Sequence, residues 1–519
     1  MKEVLIIGTH TIAQNIVSQY ETTGCNVNVV AGFEGLRDIA KYDELCVVPD
    51  MSVRDESTLQ SLEALARNCQ MAEGRETKPL CHLLLHNKMS LWLLQTLNIY
   101  QEINKKFEIY AFTMEDQWAK NVLCHLDDNF SFYPSLDRER IDAQSNKTVH
   151  MVIAGFSDLG ESLAIHTALT AHYPNYVRNN SLRTRITLIG EHIIEKIDSF
   201  IHRYYNLFEN SYYRIIHVDN RSILKFHEPM YSSSREDFID VEWEFVESDF
   251  YDPVVQMKLK LWSEDKNSIM TLALCENSVD ENFEHAFSLP KSLYLNNIPV
   301  FINIKNSTLL DEVRLTRSYP NLYPMGMDDC GYDVRLPLLQ MAKRLNYFYV
   351  CSYGEKGVPT DMPIDEIEKE WSKIDSFSIR YSNIYNVMTV ATKMRSLGHE
   401  EKEWNNFYAL TQEEIELLSA VEHNRWCVDR LVLGFRPPTD REREDIRNNI
   451  MEFIAARKTG GEKPAEDLKN IYKSKRIHYD LCSYKELDVD KTGRNVRIYD
   501  YDLTASIPLI AQSFKEKKS

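Results

Sequence analysis

Nowhere does the chain run through the about 18 consecutive apolar residues that a bilayer crossing requires, so any part it plays at a membrane would be played through a partner. The opening MKEVLIIGTHTIAQ carries a short apolar run that breaks at a glycine, and it reads as a first β-strand, not a secretory signal. Paired cysteines are missing too. The ten stand scattered at 25, 46, 69, 81, 124, 275, 330, 351, 427 and 482 with no CxxC. Zinc sites need closely spaced ligand pairs, and disulfide frameworks belong to short secreted chains. The expectation is a cytoplasmic protein with reduced thiols and no metal. Positive charge is also short: 60 Lys and Arg stand against 78 Asp and Glu, a net charge of -18. Such a surface repels nucleic acid and anionic membranes. A small anion can still be held locally, because helix N-termini bring their own positive potential.

What is present is core material: 43% hydrophobic and 11% aromatic residues in 519, enough for about three or four domains. Short apolar runs at 4–7, 27–30, 45–48, 80–85 and 107–112 alternate with helical stretches, the pattern of a parallel sheet with helices on both faces. Residues 134–147 are polar and aperiodic and read as a linker. The alternation then restarts, with strands predicted at 150–154, 185–189, 241–246, 269–274 and 300–304. From about 365 the chain turns helical, with helices at 364–374, 382–397 and 411–433 and charged, flexible segments at 437–447 and 457–469. The fold class expected is α/β. Tandem Rossmann-like, doubly wound parallel sheets cover 1–135 and 148–355, followed by a helical connector over 365–409 and a mainly α-helical domain over 410–519.

A dinucleotide turn places glycines where a strand becomes a helix, for the tight turn, the close approach of pyrophosphate, and helix–strand packing. At 155–160 the chain reads GFSDLG, with Gly155 and Gly160 in the first and third places and Ser157 in the second. The earlier turn, Gly8-Thr9-His10-Thr11-Ile12-Ala13, puts His10 in the second place, where a side chain would crowd the ligand. Glu191 stands at the end of the second strand, where a ribose-binding acid is expected.

In the C-terminal part, Thr411 and Glu414 form a capping box that opens a helix. Glu422, Trp426 and Asp429 fall on one face of it, able to receive a cation or the polar edge of a base stacked on the indole. The other reading is a salt bridge from Glu422 to Arg425 beside a core tryptophan. His423 follows Glu422, but no HExxH motif accompanies it.

Two resemblances follow from these residues. AGFSDLGESLA, ESDFYDP and LALCENSVDEN together resemble the TrkA-N family, the regulatory nucleotide-binding domain of potassium channels and transporters. The resemblance implies that Ser248-Asp249 and Asp280-Glu281-Asn282 lie around a bound nucleotide, NAD(H) or ATP/ADP, and that the chain pairs as a homodimer. LSAVEHNRWCVDRLVLGFRPPTDRE, KSKRIHYDLCSYKELD and RIYDYDLTASIPLI resemble the ryanodine-receptor (RyR) repeat domain, through Glu422, His423, Trp426, Gly434-Phe435, Lys475, His478, Tyr484, Leu487, Tyr501-Asp502 and Ile507-Pro508. This implies binding of a small, nucleotide-derived ligand. The expected function is that of a non-enzymatic regulator with two sites: Gly155, Ser157, Gly160, Glu191, Asp249, Asp280 and Asn282 for the cofactor, and Glu422, Trp426, Asp429 and His478 for the second ligand. The regulated partner would be a channel or another effector. An NAD-dependent enzyme and a ligand-free oligomerisation scaffold are the alternatives. Against the enzyme, the chain holds no dehydrogenase-like Tyr-x-x-x-Lys pair.

Overall fold

The computed structural model describes residues 1–36, 39–69, 78–96, 101–124, 133–217, 222–229, 236–305, 308–315, 319–327, 331–353, 359, 362–399 and 409–515. Strands β1 (Glu3–Ile7), β2 (Asn26–Val30), β3 (Glu44–Val47), β4 (Leu80–Leu84) and β5 (Glu108–Phe112) form a parallel sheet in the order β2-β1-β3-β4-β5. A larger sheet contains β6 (Thr148–Ala154), β7 (Thr184–Gly190), β8 (Tyr212–His217), β9 (Ser222–His227), β10 (Val241–Glu247), β11 (Ser268–Leu274), β12 (Val300–Asn303) and β13 (Leu322–Met325). Its order is β13-β12-β11-β6-β7-β10-β8-β9. Without the β8–β9 ribbon, which closes one edge antiparallel, this is the 3-2-1-4-5-6 order of dinucleotide-binding folds. The chain is therefore α/β with Rossmann-like parallel sheets.

Every strand read from the sequence is present. Three others were not read. Strand β8 alternates buried Tyr213 and Ile215 with half-buried neighbours, a ribbon pattern interrupted by charge. Strand β13 contains Pro324, which cannot donate to a ladder, and the strand accordingly takes the outer edge.

Two sequence expectations need correction. The segment 134–147 is a packed strap, not a free linker: Ile141 and Asp137 are buried. Asp137 pairs with Arg395 at 2.7 Å, and Arg138 donates to the Met270 carbonyl in β11 at 2.7 Å. A polar, aperiodic segment can be buried when each polar group finds a partner. The segment read as flexible at 437–447 lies mostly in a continuous helix, Asp440–Thr459, which takes in only the first three residues of 457–469. Thr439 and Glu442 close a capping box at its start, and Gly460 ends it with φ of 69°. Ile446, Ile450 and Ile454 recur every fourth residue on its buried face, a stripe hidden in the sequence by the charges around it.

After β13 the chain returns to the first sheet. Tyr332 stacks on Phe112 with ring centroids 4.0 Å apart and hydrogen-bonds His82 of β4. Gln19 holds the same segment through the Tyr332 carbonyl at 2.8 Å and the Val334 N–H at 3.1 Å. Helices Pro337–Tyr353 and Ile364–Ser372 follow. Both reach the carboxylate of Glu108 in β5, Lys343 at 2.9 Å and the Trp371 indole N–H at 3.1 Å. Trp371 is 0% exposed. Trp371→Ala should therefore cost about 3–5 kcal/mol, from the cavity and from a buried carboxylate stripped of a donor. Ile364→Ala in the same helix, at a residue 67% exposed, should cost less than about 0.5 kcal/mol. Urea denaturation of the full chain measures both, and equal costs would mean that this helix does not anchor on the first sheet.

Candidate functional site

The turn at 155 sits at the switch point of the second sheet, where β6 and β11 separate the two halves of the strand order. Gly155 has φ of 94°, and a Cβ there would lie 2.5 Å from the Glu276 backbone nitrogen. A Cβ on Gly160 would lie 2.5 Å from the Gly155 carbonyl. Both glycines are thus demanded by the chain's own close packing, before any ligand is considered. Ser157 caps helix Asp158–Thr170 by accepting the Gly160 N–H at 3.2 Å. At the turn of the first sheet, the His10 ring bonds the Val48 carbonyl at 3.0 Å, so the side chain spans the space a phosphate would need.

The other residues assigned to a cofactor lie along the same edge but do different work. Glu191 is exposed beside His192 at 3.3 Å, and Asp249 accepts the Tyr251 N–H at 2.9 Å. Asp280 is exposed in the first turn of helix Val279–Phe287. Asn282 is fully buried. It accepts the Glu276 N–H at 2.8 Å and donates to the carbonyls of Glu276, Ser278 and Asn303, tying the loop after β11 to the end of β12. All of its hydrogen-bonding groups are used within the chain, which corrects its expected place against a ligand. Sequence reading did not mark Glu247, whose carboxylate accepts the N–H groups of His192 and Ile193 at 2.7 and 2.8 Å. Burial, and then the charge of Glu281, raise the Glu276 carboxyl above its ordinary value. Carboxylates therefore follow the ends of β11, β7 and β10, with an ammonium among them, that of Lys196, which donates to the Phe156 carbonyl in the turn at 3.3 Å. They suit a ribose diol and oppose a pyrophosphate.

A large cavity lies elsewhere, in the C-terminal part. It holds about 530 Å³ and opens among helices Phe377–Val387, Gln412–Val432, Asp440–Thr459, Leu468–Ser474 and Arg497–Ala505. Trp426 is half-buried in its wall, with His478 edge-on at 4.8 Å and the Arg430 guanidinium 5.9 Å from the indole. The His478 Nδ1 accepts the Asp480 N–H at 3.3 Å. Burial drives its pKa down to about 3, so the ring is neutral, with its proton on Nε2. Arg430 is buried and donates to the Ser378 carbonyl at 3.0 Å, while its Nε has no partner. Lys473 lines the same cavity, and Arg476 stands 4.8 Å from the Phe435 ring. Burial, and then the charge of Arg430, lower the pKa of both Lys473 and Arg476. Neither has a carboxylate within ion-pair distance among the described residues. Arg430 was legible as the residue four positions after Trp426 on the same helix face. Lys473 and Arg476 carry no local signal.

Glu422 and Asp429 do not face this cavity, and their expected role at the ligand is corrected. Both are fully buried. Glu422 is gripped by Lys393 at 2.5 Å, Asn386 at 2.7 Å and Arg425 at 2.9 Å. Asp429 accepts from Ser382, Arg425 and Arg430. The salt-bridge reading of Glu422 with Arg425 is the one the structure has. His423 meets Asp500 at 3.1 Å and the Cys482 carbonyl at 2.9 Å, bonding across to the next elements.

A smaller cavity of about 40 Å³ lies between the two sheets. His166 stands 2.5 Å from Asp116, Asp116 also pairs with Lys120 at 2.6 Å, and the buried Lys88 ammonium has no hydrogen bond. Burial lowers the pKa of His166. Among the described residues no group of three or more His, Cys, Asp or Glu side chains could hold a metal ion, and no helix is long and apolar enough to cross a membrane.

No family model matches the chain, and no curated protein matches it. Among solved structures, D-lactate dehydrogenase with NAD+ from Lactobacillus jensenii is similar at 10% identity, over 77% of this chain and 98% of that one, with a TM-score of 0.21. The NAD-complexed D-isomer specific 2-hydroxyacid dehydrogenase from Lactobacillus delbrueckii ssp. bulgaricus gives 10%, 77%, 98% and 0.20. The apo D-lactate dehydrogenase from Escherichia coli gives 10%, 64%, 91% and 0.19. These neighbours are enzymes, and the expectation that the chain is not an enzyme is withdrawn on that finding. At these scores the likeness assigns the chain no activity of its own.

The buried position of Glu422 has a measurable consequence. Burial raises its carboxyl pKa, but Arg425 and Lys393 outweigh burial and hold it at about 2. Its contribution to stability is present above the ordinary value of 4.5 and is lost as pH falls through about 2, because the unfolded chain takes up the proton first. Glu422→Ala should cost about 3–5 kcal/mol at neutral pH by leaving Lys393 and Arg425 buried and uncompensated. Denaturant titration measures the loss. A variant as stable as the parent would show that the carboxylate belongs to a ligand site after all.

Proposed function

We propose that the chain is a nucleotide-binding sensor whose ligand occupies the C-terminal cleft, with Trp426 as the stacking surface and Arg430 and Lys473 as the phosphate-binding cations. One observation carries this reading. In a chain of net charge -18, Arg430 and Lys473 line the same cavity as the half-exposed indole, Arg430 at 5.9 Å from the ring, and Lys473 has no carboxylate within ion-pair distance among the described residues. The carboxylates that line the cavity are engaged elsewhere, Asp467 by Lys491, Asp480 by Lys469, Asp490 by Tyr499 and Asp500 by His423, and a cation left without one at a partly desolvated site is costly unless an anion joins it. Aromatic rings beside cations suit a base carrying phosphate. A cavity of about 530 Å³ falls within the usual range for small-molecule sites, about 300–1,000 Å³. His478 adds a neutral N–H donor for the base edge.

The resemblance of about 410–512 to the RyR repeat domain and of about 148–305 to TrkA-N supports the same reading. Ligand in the cleft would change how the C-terminal module sits on the sheets and so report to a separate effector or channel. A thermal-shift screen of the full chain with AMP, ADP, ATP, NAD, NADH and cyclic nucleotides tests it. A ligand at about a hundred times its dissociation constant should stabilise by about 2.7 kcal/mol. Lys473→Ala should abolish that shift and Ser157→Asp should leave it intact, since aspartate still caps the helix but adds charge at the Rossmann turn. Loss of the shift in Ser157→Asp alone would move the ligand to the turn at 155. No shift with any compound removes the nucleotide reading.

A second reading, NAD-dependent chemistry between the sheets, rests on the His166–Asp116 pair and the Lys88 ammonium lining the same cavity, which faces Glu161 at 4.0 Å and makes no hydrogen bond. A carboxylate-oriented imidazole is a competent acid or base, and the acids at the ends of β7 and β10 would hold the ribose of NAD. Consumption of NADH with a panel of 2-oxo acids is its test, and no consumption removes it.

A further inference from the structure

We propose that the ligand of the C-terminal cleft has two ring systems joined through phosphate, the architecture of a dinucleotide. The inference rests on the reading of the cleft as a nucleotide site and specifies what that site takes. Its basis is a second aromatic group lining the same cavity, supplied by different helices from the one that bears Trp426. Tyr349 and Tyr353 come from helix Pro337–Tyr353, and Tyr499 from helix Arg497–Ala505. Tyr349 and Tyr353 are parallel within 9° at 5.9 Å, and Tyr499 closes on Tyr353 at 5.5 Å. Tyr499 is fixed by its hydroxyl, which donates to Asp490 at 3.0 Å.

Tyr353 is 47% exposed although it borders a cavity. The Arg494 guanidinium stands 6.0 Å from its ring centroid. Among the described residues no ring contact joins this group to Trp426, whose ring neighbours are His423 and His478. The cavity thus offers two separate stacking surfaces, with Lys473 and Arg430 lining it as well. A mononucleotide on Trp426 with its phosphate on these cations would leave the tyrosine surface unused. A molecule carrying a second base would cover both surfaces while its linking phosphates stay on the cations. Stacking tolerates any base, because each presents a π-face, so the class is set by two rings and a phosphate link and not by base identity.

Isothermal titration of the full chain with diadenosine diphosphate and with AMP tests this. The dinucleotide should bind at least about tenfold tighter than AMP, the gain of one further stacked base. Tyr353→Ala should lower dinucleotide affinity by about tenfold and leave AMP affinity unchanged, while Lys473→Ala should weaken both. The high exposure of Tyr353 makes that variant safe for folding, and its unchanged melting midpoint verifies this. Equal affinity for the two compounds, or a Tyr353→Ala variant that binds the dinucleotide as the parent does, would overturn the two-ring ligand while leaving the cleft a nucleotide site, provided Lys473→Ala still weakens binding. Failure of both compounds to bind, or binding indifferent to Lys473→Ala, would overturn the cleft reading itself and this inference with it.

Discussion

A carboxylate withdrawn from water must be met by positive charge and hydrogen bonds, or its burial costs more than folding can supply. Glu422 imposes that constraint at the centre of helix Gln412–Val432, and much of the C-terminal architecture follows from it. Its partners come from two directions: Arg425 from the same helix, and Lys393 and Asn386 from the preceding helical stretch. Asp429 extends the network one turn further through Ser382, Arg425 and Arg430. With these groups fixed inward, the helix has only one rotation about its axis. That rotation brings Trp426 to the cavity and the guanidinium of Arg430 to its indole.

Charge is distributed differently at the two sites. The edge of the second sheet, where a dinucleotide would ordinarily lie, is rimmed by Glu191, Glu247, Asp249, Glu276 and Asp280. The C-terminal cleft is lined by both signs, but its aspartates are engaged, Asp467 by Lys491, Asp480 by Lys469, Asp490 by Tyr499 and Asp500 by His423. Helix dipoles contribute about half a charge at each N-terminus, too little to reverse the first field, whereas Lys473 brings a whole charge to the second without an ion-pair partner among the described residues.

Much of the fold was legible because buried parallel strands are written as continuous apolar runs: VLII in β1, HMVIA in β6 and VFIN in β12 need no neighbour to be recognised. What depends on neighbours was not. The strap at 134–147 looks like a linker because its partners, Arg395 and Met270, lie far away in sequence. Helix Asp440–Thr459 hides its isoleucine stripe under a charged surface. The site was legible in part for the same reason. Trp426 and His478 were marked and they do meet, but spacing alone could not tell which flank of the helix turns inward, so Glu422 and Asp429 were placed at the ligand. Lys473 becomes conspicuous only when folding sets it near Arg430.

Helix Gln412–Val432 also touches both sheets through its C-terminal end. The Trp92 indole, from the first sheet's layer, donates to the Val432 carbonyl at 3.2 Å, and Asn206, from the second, donates to the Gly434 carbonyl at 2.9 Å. The helix that presents Trp426 and Arg430 to the cleft is thus tied, one turn later, to the helical layers of both parallel sheets. A ligand shifts an equilibrium only by the difference in its affinity for two arrangements. Under the proposed nucleotide reading a difference would arise at Arg430 and Lys473, whose like charges repel without an anion and would be drawn together by one. Such a movement would act on the end of that helix, and the Val432 and Gly434 carbonyls are the points at which the two helical layers would feel it.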